Sequence, residues 1–153
     1  MSQDLIAFVE SLNIEGRRYF IKRCLAHATA AAEEIGETPM EPKHYFSKGV
    51  YARELFIPKG TLVVGKIHRH QNLNILSSGD LTVISIEGVQ RVKPPFTVVS
   101  PPGVQRVVYA HEDSIWTTIH GTDEKDVQKI EDEFIVKSYE ELEMKENLCL
   151  GHS

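Results

Sequence analysis

The chain has 153 residues, of which 41% are hydrophobic and 25% are charged, with a formal net charge of -5. This is the composition of a globular protein with a single core, and the acidic carboxyl-terminal part disfavours binding to the phosphates of duplex nucleic acid. No apolar run approaches the roughly 20 residues of a membrane span, and the amino terminus lacks a signal-peptide pattern. We expect a cytoplasmic protein without membrane contact. Cys24 and Cys149 lie far apart and are expected to be free thiols.

Helical spacing characterises the start of the chain. Apolar residues recur at intervals of three and four over Leu5–Leu12 and again over Phe20–Ile35, which predicts two helices. Ser2 and Asn13 are candidate amino-terminal caps, because their side-chain oxygens can accept the free N–H groups of a first turn. Gly36 suits a helix end, and two prolines follow it in a predicted extended connection. Residues 1–43 are therefore predicted to be a helical extension and linker.

The pattern changes at about residue 44. From there to residue 122 apolar and polar residues alternate with a period near two, and turn residues interrupt them at short intervals. Many closely spaced strands without intervening helices predict a sandwich or a barrel. The predicted strands are Tyr45–Phe46, Val50–Ile57, Thr61–His68, Asn72–Leu76, Asp80–Ile86, Val89–Val92, Thr97–Val99, Gln105–Tyr109 and Ser114–Ile119.

The last segment, residues 123–153, is acidic and has helical spacing. Val127, Ile130 and Phe134 mark one apolar side of a helix. A second short element follows, and the chain from Glu146 onward is predicted to be a tail.

Two histidines form the sharpest candidate site. His68 and His70 are one residue apart at the end of a predicted strand. Side chains alternate along a strand, so both imidazoles would project from one face and could reach one metal ion. Imidazole favours iron, manganese, zinc or nickel over calcium. The same pair also occurs as structural or solvated histidines, so the surrounding residues decide the interpretation.

Two stretches resemble the conserved motifs of the cupin superfamily. Residues 65–79 resemble the first motif, in which a glycine-led strand carries His-x-His, an acidic residue follows and a glycine closes the hairpin. Pro101–Arg106 resembles the second motif, Pro-x-Gly-x-x-His. The resemblance implies a mainly β fold, a single cupin-type antiparallel β-barrel or jelly roll, with the two histidines at its mouth. Metal-binding cupins add a glutamate and a second-motif histidine, and this chain has Asn74 and Arg106 at those positions.

Two other residues are candidates to complete a metal site. His120 ends the predicted strand Ser114–Ile119, and Glu54 would point inward from its strand in one of the two parities. Both also have a structural interpretation, His120 as a donor to a loop carbonyl and Glu54 as a solvated carboxylate beside Arg53.

Arg106 suggests a different chemistry. Inside a barrel, a guanidinium can hold a carboxylate or a phosphate through two parallel hydrogen bonds. A change of one residue in strand parity would turn it outward instead. Asn74, Tyr51 and Trp116 complete the candidate ligand-binding residues, although strand aromatics also serve as core packing.

A longer set of residues is similar to small cupin-like proteins of tailed phages and prophages. It comprises Tyr51–Thr61, Gly65–His68, Asn74–Leu76 and Trp116–His120. The similarity implies a phage accessory protein in the host cytoplasm and does not name a reaction.

Three functions remain open. The first is a small cupin that binds a divalent metal through His68 and His70; if it is an enzyme, we expect oxygenation, isomerisation or hydrolysis of a small molecule. The second is a non-catalytic module that sequesters a small anion or a nucleotide. The third is a structural or partner-binding protein. A homodimer or a larger homo-oligomer is expected, because edge strands and apolar helices offer surface for a second copy.

Overall fold

The computed structural model describes residues 1–35 and 40–150. Gly36 and the first of the two prolines lie outside the described residues, as does the side chain of Cys149; Cys24 is a free thiol. The helices are α1 Gln3–Ser11, α2 Ile14–Ile35, α3 Val127–Phe134 and α4 Tyr139–Leu150. The strands are β1 Lys43–Ser47, β2 Val50–Ile57, β3 Leu62–Val64, β4 Ile67–His68, β5 Asn72–Ser85, β6 Gly88–Val92, β7 Phe96–Ser100, β8 Val107–Gly121 and β9 Ile135–Val136.

These elements confirm the predicted class, a mainly β antiparallel fold with an amino-terminal helical pair and short carboxyl-terminal helices. Both predicted caps are present. The Ser2 hydroxyl accepts from the backbone N–H of Leu5 at 3.2 Å, and the Asn13 side chain accepts from that of Gly16 at 2.8 Å. Each side-chain oxygen therefore satisfies a donor left free by the first helical turn.

Two long strands, β5 and β8, organise the barrel. They pair with each other along most of their length and take part in both halves of one seven-stranded sheet. In the first half the end of β8 and the start of β5 lie between β2 and β7. In the second half the start of β8 and the end of β5 lie between β3 and β6. The halves pack around one buried apolar cluster: Leu55, Ile57, Leu76, Leu81, Val83, Val92, Val108 and Ala110.

The long strands change direction at β-bulges. The pairing of β5 with β8 shifts register three times between Leu76 and Leu81. Gly79 lies there with φ 107°, and a Cβ at that position would overlap Ser114. The sequence predicted chain breaks between the strands Asn72–Leu76 and Asp80–Ile86 and between Gln105–Tyr109 and Ser114–Ile119. Both breaks are wrong, because each lies inside one continuous strand, β5 or β8. Glycine and acidic residues marked a bulge rather than a chain reversal.

The helical pair packs on the outer face of the second half. Arg17 of α2 joins three parts of the chain, since its guanidinium donates to the carbonyl oxygens of Val9 at 3.3 Å, Glu10 at 3.0 Å and Ile86 at 3.0 Å. The first two carbonyls belong to the last turn of α1, and the third belongs to the β5–β6 turn. A buried apolar cluster completes the contact: Val9, Ile21, Ile84 and Val107.

The carboxyl-terminal segment closes the barrel mouth. β9 pairs with β4, and α3 buries Ile130 and Phe134 against Tyr51 of β2, as the amphipathic pattern of α3 predicts. α4 continues to Leu150, so the tail predicted from Glu146 is helical as far as that residue.

None of the helices within the described residues is long and apolar enough to cross a membrane.

Candidate functional site

A cavity of about 170 Å³ lies inside the barrel. β2 lines it with alternate residues, Tyr51, Arg53, Leu55 and Ile57. Because side chains alternate along a strand, Glu54 lies on the opposite face of β2 and does not reach the cavity. Its candidacy as a metal ligand is therefore not supported by its position.

β8 and β5 supply several polar residues of the lining. Trp116 and His120 line the cavity from β8, and Asn74 lines it from β5. Together with Tyr51, these are four of the residues singled out in the sequence. The fold therefore gathers side chains that are up to seventy residues apart into one site, through the antiparallel pairing of β8 with β2 and β5.

His68 also lines the cavity, but His70 does not. β4 ends at His68, and the chain bends at Arg69, whose backbone N–H donates to the carbonyl of Phe134 at 2.7 Å. The side-chain alternation assumed for the pair therefore stops at His68. His70 is exposed, and its ring meets Phe134 edge-on at a centroid distance of 5.3 Å. The expected common face of the two histidines is not present.

His120 is the histidine that lies beside His68. Their ring centroids are 5.0 Å apart and their planes differ by 18°. Phe134 stacks on His120 with a centroid distance of 4.9 Å, and Tyr51 lies 6.3 Å from it with a plane angle of 13°. The imidazoles are thus held in a stack of rings contributed by β2, β4, β8 and α3.

Both cavity histidines are neutral at neutral pH. Burial, followed by the charges of His120 and Arg53, lowers the pKa of His68 from 6.5 to about 3. Burial, followed by the charge of His70, lowers the pKa of His120 from 6.5 to about 4. Within the described part of the chain, the Nδ1 atom of each ring is buried and has no hydrogen-bond partner.

Asn74 is a structural residue in this arrangement. Its Oδ1 accepts from Trp116 Nε1 at 3.1 Å and from Thr118 Oγ1 at 2.8 Å. Its Nδ2 donates to Asn72 Oδ1 at 2.8 Å and to Ser100 Oγ at 2.7 Å. All four hydrogen-bonding positions of the amide are used, so Asn74 fixes the indole of Trp116 and has none left for a ligand.

Arg106 lies in the loop before β8 and lines the cavity, so its direction is not set by strand parity. The loop that carries it is fastened to the β3–β4 region by three hydrogen bonds. Gly103 N–H donates to the carbonyl of His68 at 2.8 Å, and Gly65 N–H donates to the carbonyl of Arg106 at 2.8 Å. The Gln105 side chain donates to the carbonyl of Gly65 at 2.9 Å. The sequence stretch that resembles the second cupin motif therefore holds a guanidinium at the cavity wall.

The charge of the cavity is positive. Lys66 and Glu131 both line it, and they form an ion pair with each other at 3.0 Å. Arg53 and Arg106 line it as well, and within residues 1–35 and 40–150 neither guanidinium has a hydrogen bond or an ion pair with another side chain. Burial lowers the pKa of Arg106, although Arg remains charged at neutral pH. Among the described residues, two half-buried cations therefore lack a hydrogen-bonded or ion-paired partner, although the Glu87 carboxylate attracts Arg106 from a longer distance.

The donor set does not fit a resident transition metal. Metal sites with a catalytic ion usually have three protein ligands, and the described residues contain no group of three or more His, Cys, Asp or Glu side chains placed to hold an ion. His68 and His120 stack face to face, whereas an ion lies in the plane of each imidazole that binds it. The charges of Arg53 and Arg106 would also repel a cation.

Several lining residues were not predicted as site residues from the sequence: Arg53, Lys66, Val104, Ile130, Glu131 and Phe134. Arg53 could have been found from the parity of β2, since it alternates with Tyr51, Leu55 and Ile57. The α3 residues had a weaker signal, because an amphipathic helix does not reveal which surface it covers.

Neither a scan of protein-family models nor a search of curated proteins gives a match. The chain is similar to the solved structure of KdgF from Halomonas sp., with 18% identity over 56% of this chain and 81% of that one and a TM-score of 0.48. It is also similar to a cupin-2 domain protein from Shewanella frigidimarina, with 13% identity over 61% of this chain and 92% of that one and a TM-score of 0.46. A third similar structure is an acetylacetone dioxygenase from Acinetobacter johnsonii, with 13% identity over 52% of this chain and 58% of that one and a TM-score of 0.43. With TM-scores below 0.5, these similarities identify no ligand or reaction for this chain.

Proposed function

We propose that this protein is a small cupin-type barrel that binds a small organic acid in its cavity, with Arg53 and Arg106 as the anion-binding residues. The observation that carries the proposal is that, among the described residues, the guanidiniums of Arg53 and Arg106 have no hydrogen bond or ion pair, and the single carboxylate that lines this cavity is already paired with Lys66. A guanidinium and a carboxylate match in planar, two-point hydrogen bonding.

The energetics support an anion. Withdrawing a cation from water is costly unless a counter-charge replaces the lost hydration. A bound carboxylate would supply that counter-charge to both arginines. The neutral imidazoles of His68 and His120 would add hydrogen bonds without adding charge.

The size of the cavity supports a ligand smaller than a nucleotide. Pockets for drug-sized ligands typically have about 300 to 1,000 Å³, and this cavity has about 170 Å³. The apolar walls formed by Leu55, Ile57 and Val108 favour a short hydrocarbon portion beside the acid group. Of the small anion and the nucleotide considered above, the small anion is preferred, because only this smaller cavity is lined by both Arg53 and Arg106.

Two further expectations belong to the same proposal. The sequence similarity to small barrels of phages and prophages supports a role in sequestering a metabolite in the host cytoplasm. A homodimer is supported by the exposed edge strand β1, because an edge strand offers backbone groups for pairing with a second copy. Analytical ultracentrifugation would measure the oligomeric state directly.

The fluorescence of Trp116 provides the test. Trp116 is the single tryptophan of the sequence and lines the cavity, so its emission should report ligand entry. We expect saturable changes with short carboxylic acids, and binding that is weakened about tenfold or more in Arg106→Gln and Arg53→Gln, since a charge-assisted hydrogen bond contributes about 1.5–3 kcal/mol.

Arg23→Gln is the matched control. Arg23 is exposed on α2 and does not line this cavity, so its replacement should leave the affinity unchanged. Circular dichroism would establish that each variant is folded. Absence of saturable binding, or equal affinity in the wild type and both cavity variants, would overturn the proposal.

A further inference from the structure

A second cavity, of about 360 Å³, lies next to the first and shares two lining residues with it, Arg106 and Trp116. Its other walls come from the β5–β6 hairpin and from β7. Three polar side chains line it from the hairpin, Ser85, Glu87 and Gln90. One cation and one aromatic ring therefore belong to the walls of both cavities.

Hydrogen bonds hold the indole of Trp116 and the backbone of Arg106. The Trp116 indole N–H is bound to Asn74 at 3.1 Å. The backbone of Arg106 is bound to Gly65 at 2.8 Å. The β5–β6 hairpin, which forms another wall of the second cavity, is also held. Arg17 donates to the carbonyl of Ile86 in the hairpin turn at 3.0 Å. The second cavity is therefore a built feature of the fold rather than a gap beside a loose loop.

The chemistry of the second cavity differs from that of the first. Ser85 is buried and its oxygen accepts from the backbone N–H of Glu87 at 3.1 Å, and its hydroxyl donates to no acceptor within the described part of the chain. Glu87 is exposed and has no ion pair among the described residues. The attraction of its carboxylate for Arg106 opposes the lowering of the Arg106 pKa by burial. The first cavity thus offers positive charge, and the second offers a carboxylate acceptor.

We propose that the second cavity holds the far end of the same ligand, so that the preferred ligand is a short acid whose opposite end donates hydrogen bonds. The acid group lies between Arg53 and Arg106, the hydrocarbon portion passes Trp116, and a terminal hydroxyl or ammonium group meets Glu87. This inference rests on the proposed function and adds the ligand class to it.

The experiment uses straight-chain acids of three to six carbons that end in a methyl, a hydroxyl or an ammonium group. Trp116 fluorescence and calorimetry would give Kd for each. At the chain length that spans both cavities, we expect the substituted acids to bind about tenfold more tightly than the methyl-ended acid. In Glu87→Gln the ratio of affinities between the ammonium-ended and methyl-ended acids should fall to about one.

Glu10→Gln is the control, because Glu10 is exposed on α1 and lines neither cavity; it should keep the tenfold ratio. If methyl-ended acids bind with dependence on Arg106 but no substituted acid binds more tightly at any length, the inference is overturned and the proposed function stands. An unchanged ratio in Glu87→Gln would also overturn it. If no acid binds, both proposals fail.

Discussion

Acidification should destabilise this protein well above the pH at which carboxylates titrate. His68 and His120 have pKa values lowered from 6.5 to about 3 and about 4. Between those values and 6.5 the unfolded chain binds protons that the folded chain does not, so the free energy of unfolding falls as the pH falls. The stability that depends on the two neutral histidines is fully present above pH 6.5 and is progressively lost below it.

The size of the loss of stability at pH 5 follows from the difference between pH 5 and the histidine pKa of 6.5 in the unfolded chain. Each pH unit below 6.5 costs about 1.4 kcal/mol for a group that is protonated only when unfolded. At pH 5 each of the two histidines therefore removes about 2 kcal/mol of stability relative to pH 7. This loss of stability does not depend on the pKa values of the two histidines in the folded protein, as long as both pKa values remain below about 4.5.

Urea denaturation at pH 7 and at pH 5 measures this difference. In His120→Gln the loss of stability between the two pH values should be smaller by about 2 kcal/mol than in the wild type, whatever the variant does to stability at pH 7. His27→Gln, an exposed position on α2, should lose as much as the wild type. His111, whose pKa is also lowered by burial, contributes equally to the pH dependence of stability in all three proteins. An unchanged pH dependence in His120→Gln would refute the assignment of a neutral, buried imidazole.

Three further predictions concern other parts of the structure. Arg106→Met should raise the free energy of unfolding without ligand by about 1 kcal/mol, because it removes a half-buried charge that has no hydrogen bond or ion pair among the described residues. A loss of that size in urea denaturation would contradict this. Arg17→Met removes three hydrogen bonds between α1, α2 and the β5–β6 turn and should lower stability by about 2–3 kcal/mol, with faster amide hydrogen exchange in α1. Gly79→Ala should lower stability by at least about 3 kcal/mol, because the new Cβ overlaps Ser114 at a positive φ. Gly60→Ala, at a positive φ with open space around it, should lower the free energy of unfolding by less in the same urea denaturation assay.

The sequence was most informative where a local pattern determines structure. The alternation in Val50–Ile57 predicts β2 with its observed bounds, and the caps Ser2 and Asn13 follow from the need to satisfy free N–H groups in a first turn. The barrel also follows, because many short strands without helices between them have few ways to bury their apolar faces.

The site was harder to predict because it depends on where strands end and bend. His-x-His indicates a shared face only if the strand continues, and here β4 stops at His68. Gly79 marks a bulge inside β5 rather than a turn, and nothing local distinguishes the two. The contribution of Phe134 depends on the docking of α3 onto the barrel mouth, which is a long-range packing choice.

A crystal structure with a bromine-labelled short acid, such as 3-bromopropanoate, tests the central claim most directly. Anomalous scattering would locate the bromine, and the electron density would show the acid group. We predict that the carboxylate lies between the guanidiniums of Arg53 and Arg106, within hydrogen-bonding distance of both. A cavity without the acid, or an anomalous metal peak bound to His68 and His120 in its place, would contradict the account.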